Sequence, residues 1–115
     1  MDREYKNINT LRKWQRMLNL QKWNLSIQYK KFERTDFLQS ADIDVDSSAK
    51  SAIVYITDED TTKDDYHILH ELIHLLLWDY DHFSESRILD KEKDQYFDLL
   101  ESTVESLTNI LYAQK

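Results

Sequence analysis

The chain has no cysteine, no glycine and no proline in its 115 residues. Without cysteine there is no disulfide framework, no thiolate nucleophile and no cysteine-based zinc site. Without glycine there is no Walker loop and no dinucleotide fingerprint, so nucleotide chemistry through those loops is excluded. Turns have to rely on Asn, Asp and Ser, which tolerate or locally stabilise turn geometry. No apolar run approaches a membrane span. The opening "MDREYKNINTLRKWQRM" is charged throughout and lacks the apolar centre of a signal peptide, so a cytoplasmic protein is expected. A net charge of -7 argues against nucleic-acid binding through phosphate neutralisation, and Lys30–Lys31 reads as a solvated strand end.

What is present is the composition of a soluble globular protein, 41% hydrophobic and 32% charged. The length suits one domain, residues 1–115, with a modest core. Between Tyr5 and Leu20, the residues Ile8, Leu11, Trp14 and Leu18 recur at spacings of three and four, which predicts an amphipathic helix. "WNLSIQY" alternates, with Trp23, Leu25, Ile27 and Tyr29 on one face. Ala41, Ile43 and Val45 alternate again, and "DSSAKS" leads into the β-branched "AIVYIT", predicting an antiparallel hairpin. A long helix is expected to about Trp78, with Thr61 or Thr62 as its N-cap. "DYDHFSESR" breaks the apolar pattern, and Ser84 or Ser86 is a candidate cap for a final helix from about Ile88 to Tyr112. That helix is expected to bury Tyr96, Leu99, Leu100, Val104, Leu107 and Leu111. The order is one helix, three strands and two helices, an α+β domain.

The helix containing "HILHELIHLLLW" poses the functional question. Turning about 100° per residue, with His70 at zero, places His74 at about 40°, His67 at about 60° and Glu71 at about 100°. Apolar side chains fill most of the remaining arc, so the helix is buried except for one polar strip. Burying imidazoles and a carboxylate without partners costs on the order of several kcal/mol. A divalent metal on His70 and His74 removes that cost, because residues four apart on a helix stack and their nitrogens converge. Glu71 then flanks the site within reach of a metal-bound water. A chance H-E-x-x-H is expected in roughly one such sequence in a hundred. The competing reading is a set of histidines satisfied in a polar core. His67 reads as a solvent-edge histidine or one supporting the ligands from behind.

Catalytic zinc (Zn2+) takes three protein ligands and leaves one position open. A third histidine six residues beyond the second falls at Tyr80, so that arrangement fails. On the final helix Asp94, Asp98, Glu101 and Glu105 form an acidic stripe, either a solvated face or one turned toward a cation. Glu101 lies nearest the apolar border and is the favoured ligand, and Glu105 is placed to accept a hydrogen bond from a ligand imidazole. Glu105 itself, His82, Asp79 and Asp81 remain alternative ligands.

"ILHELIHLLL" and "ESTVESLTNIL", with "WQRMLNLQKWNLSIQY" and "SAIVYIT", resemble the gluzincin metallopeptidases. The likeness is to their small single-domain minigluzincin-like forms, often encoded by phages and prophages. It covers most of the chain, but only the H-E-x-x-H motif is highly specific. The resemblance implies a zincin-like half-domain: an N-terminal helix, a small three-stranded twisted sheet, the active-site helix, and a closing helix supplying glutamate. It implies His70, His74 and Glu101 as zinc ligands and Glu71 as general base. For the oxyanion-stabilising group it leaves Tyr66, His67, Tyr80, His82 and Tyr112 as candidates. The chain departs from the larger members in having no glycine and no evident second subdomain.

The expected activity is hydrolysis of a peptide or protein substrate by a zinc-activated water, with Glu71 moving the proton. If "AIVYIT" is the sheet's exposed edge, a peptide can add to it as a further strand. The alternative is a non-catalytic interaction module, zinc-stabilised or metal-free, whose site is closed by a fourth ligand such as His82.

Overall fold

Leu11, Trp14 and Leu18 lie on one side of the first helix and its exit and are buried, as their spacing predicts. The helix, α1, runs over Asp2–Met17 in a computed structural model that describes residues 2–32 and 41–114. Ile8 departs from the expected stripe and is 48% exposed, while Asn7 is buried in its place. The reason is polar. The Asn7 amide donates to Asp64 at 2.9 Å and to the Tyr29 hydroxyl at 3.3 Å, so this end of α1 packs on a hydrogen-bonded cluster. Arg3 completes the cluster with a two-pronged bond to Asp64, at 2.7 and 3.0 Å, and another to the Thr57 carbonyl. The helix ends without glycine because Asn19 takes the left-handed conformation (φ 60°), which asparagine tolerates. Gln15 holds the following turn, its amide donating to the carbonyls of Leu20 and Trp23.

Three strands follow: β1 (Asn24–Lys30), β2 (Ala41–Asp46) and β3 (Ser51–Thr57). The β2–β3 hairpin is antiparallel as expected, and Asp46 stabilises its turn by accepting from the Ser48 hydroxyl and the Ala49 amide. The strand order is β1-β3-β2, with β1 parallel to β3. "AIVYIT" is therefore the central strand and not an edge, so the expectation that a peptide adds to it is corrected. Its alternate side chains Ala52, Val54 and Ile56 are all buried. The register sets Leu25, Ala52 and Val45 in one row, Ile27, Val54 and Ile43 in the next, and Tyr29, Ile56 and Ala41 in the third. These rows face the helices.

Helix α2 (Asp64–Leu76) packs on that face through Ile68, Leu69, Leu72, Ile73 and Leu75. Its N-cap position is Lys63 and carries no side-chain cap, so neither Thr61 nor Thr62 plays the expected role. Thr62 is bonded to Asp60 instead. α2 ends close to the expected end at about Trp78, but the stretch beyond it, where the apolar pattern breaks, is itself helical. The backbone bends at Leu77 and continues as α3 (Trp78–Glu85), there being no glycine or proline to stop it. Ser86 closes α3 by donating to the Phe83 carbonyl. A 3-10 turn (Asp90–Glu92) precedes α4 (Lys93–Ala113), which starts later than expected. Val104 and Thr108 are buried on α4 and Leu100, Leu107 and Leu111 pack against the core, but Leu99 is 61% exposed, contrary to expectation. Tyr96 ties α4 to α3 by donating to the Asp81 carboxylate at 2.6 Å, and burial together with that bond pushes its hydroxyl up to about 12. Together these elements form a small α+β domain. Among the described residues no helix is long and apolar enough to cross a membrane.

Candidate metal centre

The narrow polar strip on α2 faces α4, which runs antiparallel to it. Tyr66 donates to Asn109 at one end, and Glu101 meets His70 and His74 further along. His70 Nε2 lies 2.8 Å from one Glu101 oxygen, and His74 Nε2 lies 3.2 Å from the other. The three residues offer ligand atoms within 4.8 Å of one another, and theirs is the group among the described residues that can hold a metal ion. In a tetrahedral zinc site with bonds of about 2.0–2.1 Å, ligand atoms lie roughly 3.3 Å apart. The 3.2 Å separation already fits, and the 2.8 Å contact has to open by roughly half an ångström to do so. Two neutral nitrogens and one carboxylate oxygen form a donor set suited to zinc.

Electrostatics separate the two glutamates. Hydrogen bonds from His70 and then His74 hold the Glu101 carboxyl far below the usual range, against a smaller opposing effect of burial. Glu71 is 6% exposed, and burial pushes it up to about 8; the nearby His70 opposes this, and Asp42 and Glu101 reinforce it. A carboxyl of that kind takes a proton readily near neutral pH.

The strip opens into a cleft of about 560 Å³ between β2 and α4, walled by Ala41, Asp42 and Ile43 on one side and Glu101 and Glu105 on the other. His67, His70, Glu71 and His74 form its floor along α2, and Trp78 at the start of α3 closes the end. The expected cluster of His70, Glu71, His74 and Glu101 is thus brought together.

Other expected residues fall elsewhere. His67 lines the cleft one turn from the group, and burial, then His70, lowers its imidazole below the usual range. Glu105 lines the cleft but accepts no hydrogen bond from a ligand imidazole. The His70 Nδ1 atom is buried and has no partner among the described residues. His70 is oriented by packing instead, between the rings of Tyr66 and His74 at 6.2 and 5.1 Å. His82 is turned away: it stacks on Trp78 at 4.2 Å, and its Nδ1–H donates to the Trp78 carbonyl. Of the oxyanion candidates, His67 lies in the cleft, Tyr66 adjoins it, and Tyr80 is 70% exposed.

Sequence reasoning missed Asp42 and Ile43 as cleft residues, because their place beside α2 follows from the strand order. The one available signal was the length of chain between β1 and β2, which gives β3 room to enter between them. Compared with family models, with curated proteins and with solved structures, the chain matches none.

Proposed function

We propose that this protein is a zinc-dependent peptidase of zincin-like design. The observation that carries the reading is the convergence of His70, His74 and Glu101 at one point while Glu71, buried and without a hydrogen bond among the described residues, faces the same cleft. His70 and His74 would hold the ion from α2 and Glu101 from α4. Zinc there supplies Lewis acidity, activating water and polarising a carbonyl. Glu71, ionised beside the cation, would take the proton of the attacking water and pass it to the leaving amine. The floor along α2 from His67 to His74 spans about 10 Å, room for roughly three extended residues lying beside the edge strand β2.

The rival reading is a binding module without hydrolysis. In its favour, Glu101 already satisfies both imidazoles, and no acceptor orients His70 Nδ1. Against it, His82 is committed to Trp78 and does not close the site as a fourth ligand. The test is a library of internally quenched peptides offered to zinc-loaded wild type and to Glu71→Gln. Cleavage by the wild type, lost in a variant that still binds one zinc, is the expected result. Equal cleavage by both proteins removes Glu71 as base, and no cleavage by either removes the peptidase reading.

A further inference from the structure

The cleft has a one-sided charge. Asp42, Glu71, Glu101 and Glu105 line it, and among the described residues no lysine or arginine does, in a chain of net charge -7. Two of these acids are accounted for. Glu101 is bound to His70 and His74, and Glu71 is nine-tenths buried and lines the cleft with no hydrogen-bond partner among the described residues. Asp42 and Glu105 are different. They stand on opposite walls, one on β2 and one on α4, and both are exposed. Among the described residues Asp42 accepts a bond only from the Ile43 amide, and Glu105 has no ion pair. Like charges facing each other across a concave site, with no cation between them, raise the local concentration of cations and favour a ligand that brings one. Trp78 at the end of the floor adds an aromatic surface for the stem of a long basic side chain.

From this we infer that the cleft selects peptides carrying lysine or arginine beside the bond that lies over His70 and His74. Asp42 and Glu105 are the residues that set this preference. The inference rests on the peptidase reading for its chemistry but not for its charge selection, and the experiment separates the two.

Three alanine-based quenched octapeptides serve as probes, identical except for lysine, norleucine or glutamate on both sides of the central bond. With zinc-loaded protein at low salt, the lysine peptide is expected to be cut with a kcat/KM about tenfold above the norleucine peptide, and the glutamate peptide more slowly still. The ratio should fall toward one in the Asp42→Asn, Glu105→Gln double variant and in 0.5 M salt. Equal rates for the three peptides in wild type overturn the inference and leave the peptidase reading standing. If none is cut, the same peptides are measured for binding by fluorescence anisotropy. Tighter binding of the lysine peptide that disappears in the double variant sustains the charge selection while the peptidase reading falls. Charge-blind binding, or none, overturns both.

Discussion

Replacing Glu71 by Gln should do two opposite things: abolish hydrolysis and stabilise the metal-free protein. The side chain is 6% exposed and lies among His70 and His74 on its own helix, Asp42 on β2, and Glu101 and Glu105 on α4. Burial is the main cause that pushes its carboxyl from an ordinary 4.5 to about 8. Between those two values the folded protein keeps the proton and the unfolded chain releases it. Stability therefore falls as pH rises through that window and levels off above it. At ~1.4 kcal/mol per pH unit the loss is about 3 kcal/mol by pH 7 and about 5 kcal/mol at the plateau. Glutamine has nearly the same shape and nothing to titrate, so this part of the slope disappears. Urea unfolding followed by tryptophan fluorescence, in chelator at pH 5, 7 and 8.5, measures the difference between the two proteins. The variant should exceed wild type by about 1 kcal/mol or less near pH 5 and increasingly toward pH 8.5. The gain should shrink once zinc is bound, because a dication beside Glu71 favours the ionised carboxylate. A difference that stays constant within about half a kcal/mol across the three pH values would refute the argument that Glu71 is a desolvated carboxyl.

Zinc at a hundredfold excess over its Kd should stabilise wild type by about 2.7 kcal/mol, a Tm rise of roughly 10 °C by calorimetry. The rise should vanish in His70→Ala and persist in His82→Ala, because His82 bonds Trp78 and not the site; loss of the rise in His82→Ala would count against the assigned ligands. Arg3→Ala strips a two-pronged partner from Asp64, which is only 6% exposed, and should cost about 2–3 kcal/mol of unfolding free energy in urea titrations. A cost below about 0.5 kcal/mol would show that this pair behaves as a surface ion pair. In hydrogen exchange, zinc should slow the α4 amides around Glu101 far more than those of α2. Equal protection of both helices would contradict the attachment of α4 through the metal site.

Part of this could be read directly from the sequence. The period-two alternation of "WNLSIQY" placed Leu25, Ile27 and Tyr29 on one face, and the helical angles of "HILHELIH" isolated the polar strip that the fold turns toward Glu101. Both are local periodicities, and a local pattern survives folding when it matches the burial it implies. Strand order is not local. β3 enters between β1 and β2, so the strand expected at the edge lies at the centre, and Asp42 arrives beside the cleft with no sequence signal of its own. The helix boundaries failed for another reason. With no glycine or proline, nothing marks the end of a helix, and a polar stretch such as "DYDHFSE" stays helical because its exposed residues need no partner. Leu99 was misplaced because α4 turns a wider solvent face than its leucines suggest, with only Val104 and Thr108 fully enclosed.

The same asymmetry explains how the site is built. His70, Glu71 and His74 stand on a helix whose other side carries five of the buried core residues, so their relative positions are set by the part of the domain that costs most to distort. Glu101 comes from a helix held by far less burial and by three polar ties: Tyr66 to Asn109, Tyr96 to Asp81 and Tyr112 to Asp65. A donor set assembled from one rigid and one lightly docked helix would turn metal binding into a tertiary contact, since an ion shared by the two would replace packing that α4 lacks. The carboxylate therefore has two roles that need not be separated. It draws the imidazoles together, and it closes the wall of the cleft from which Glu105 faces Asp42.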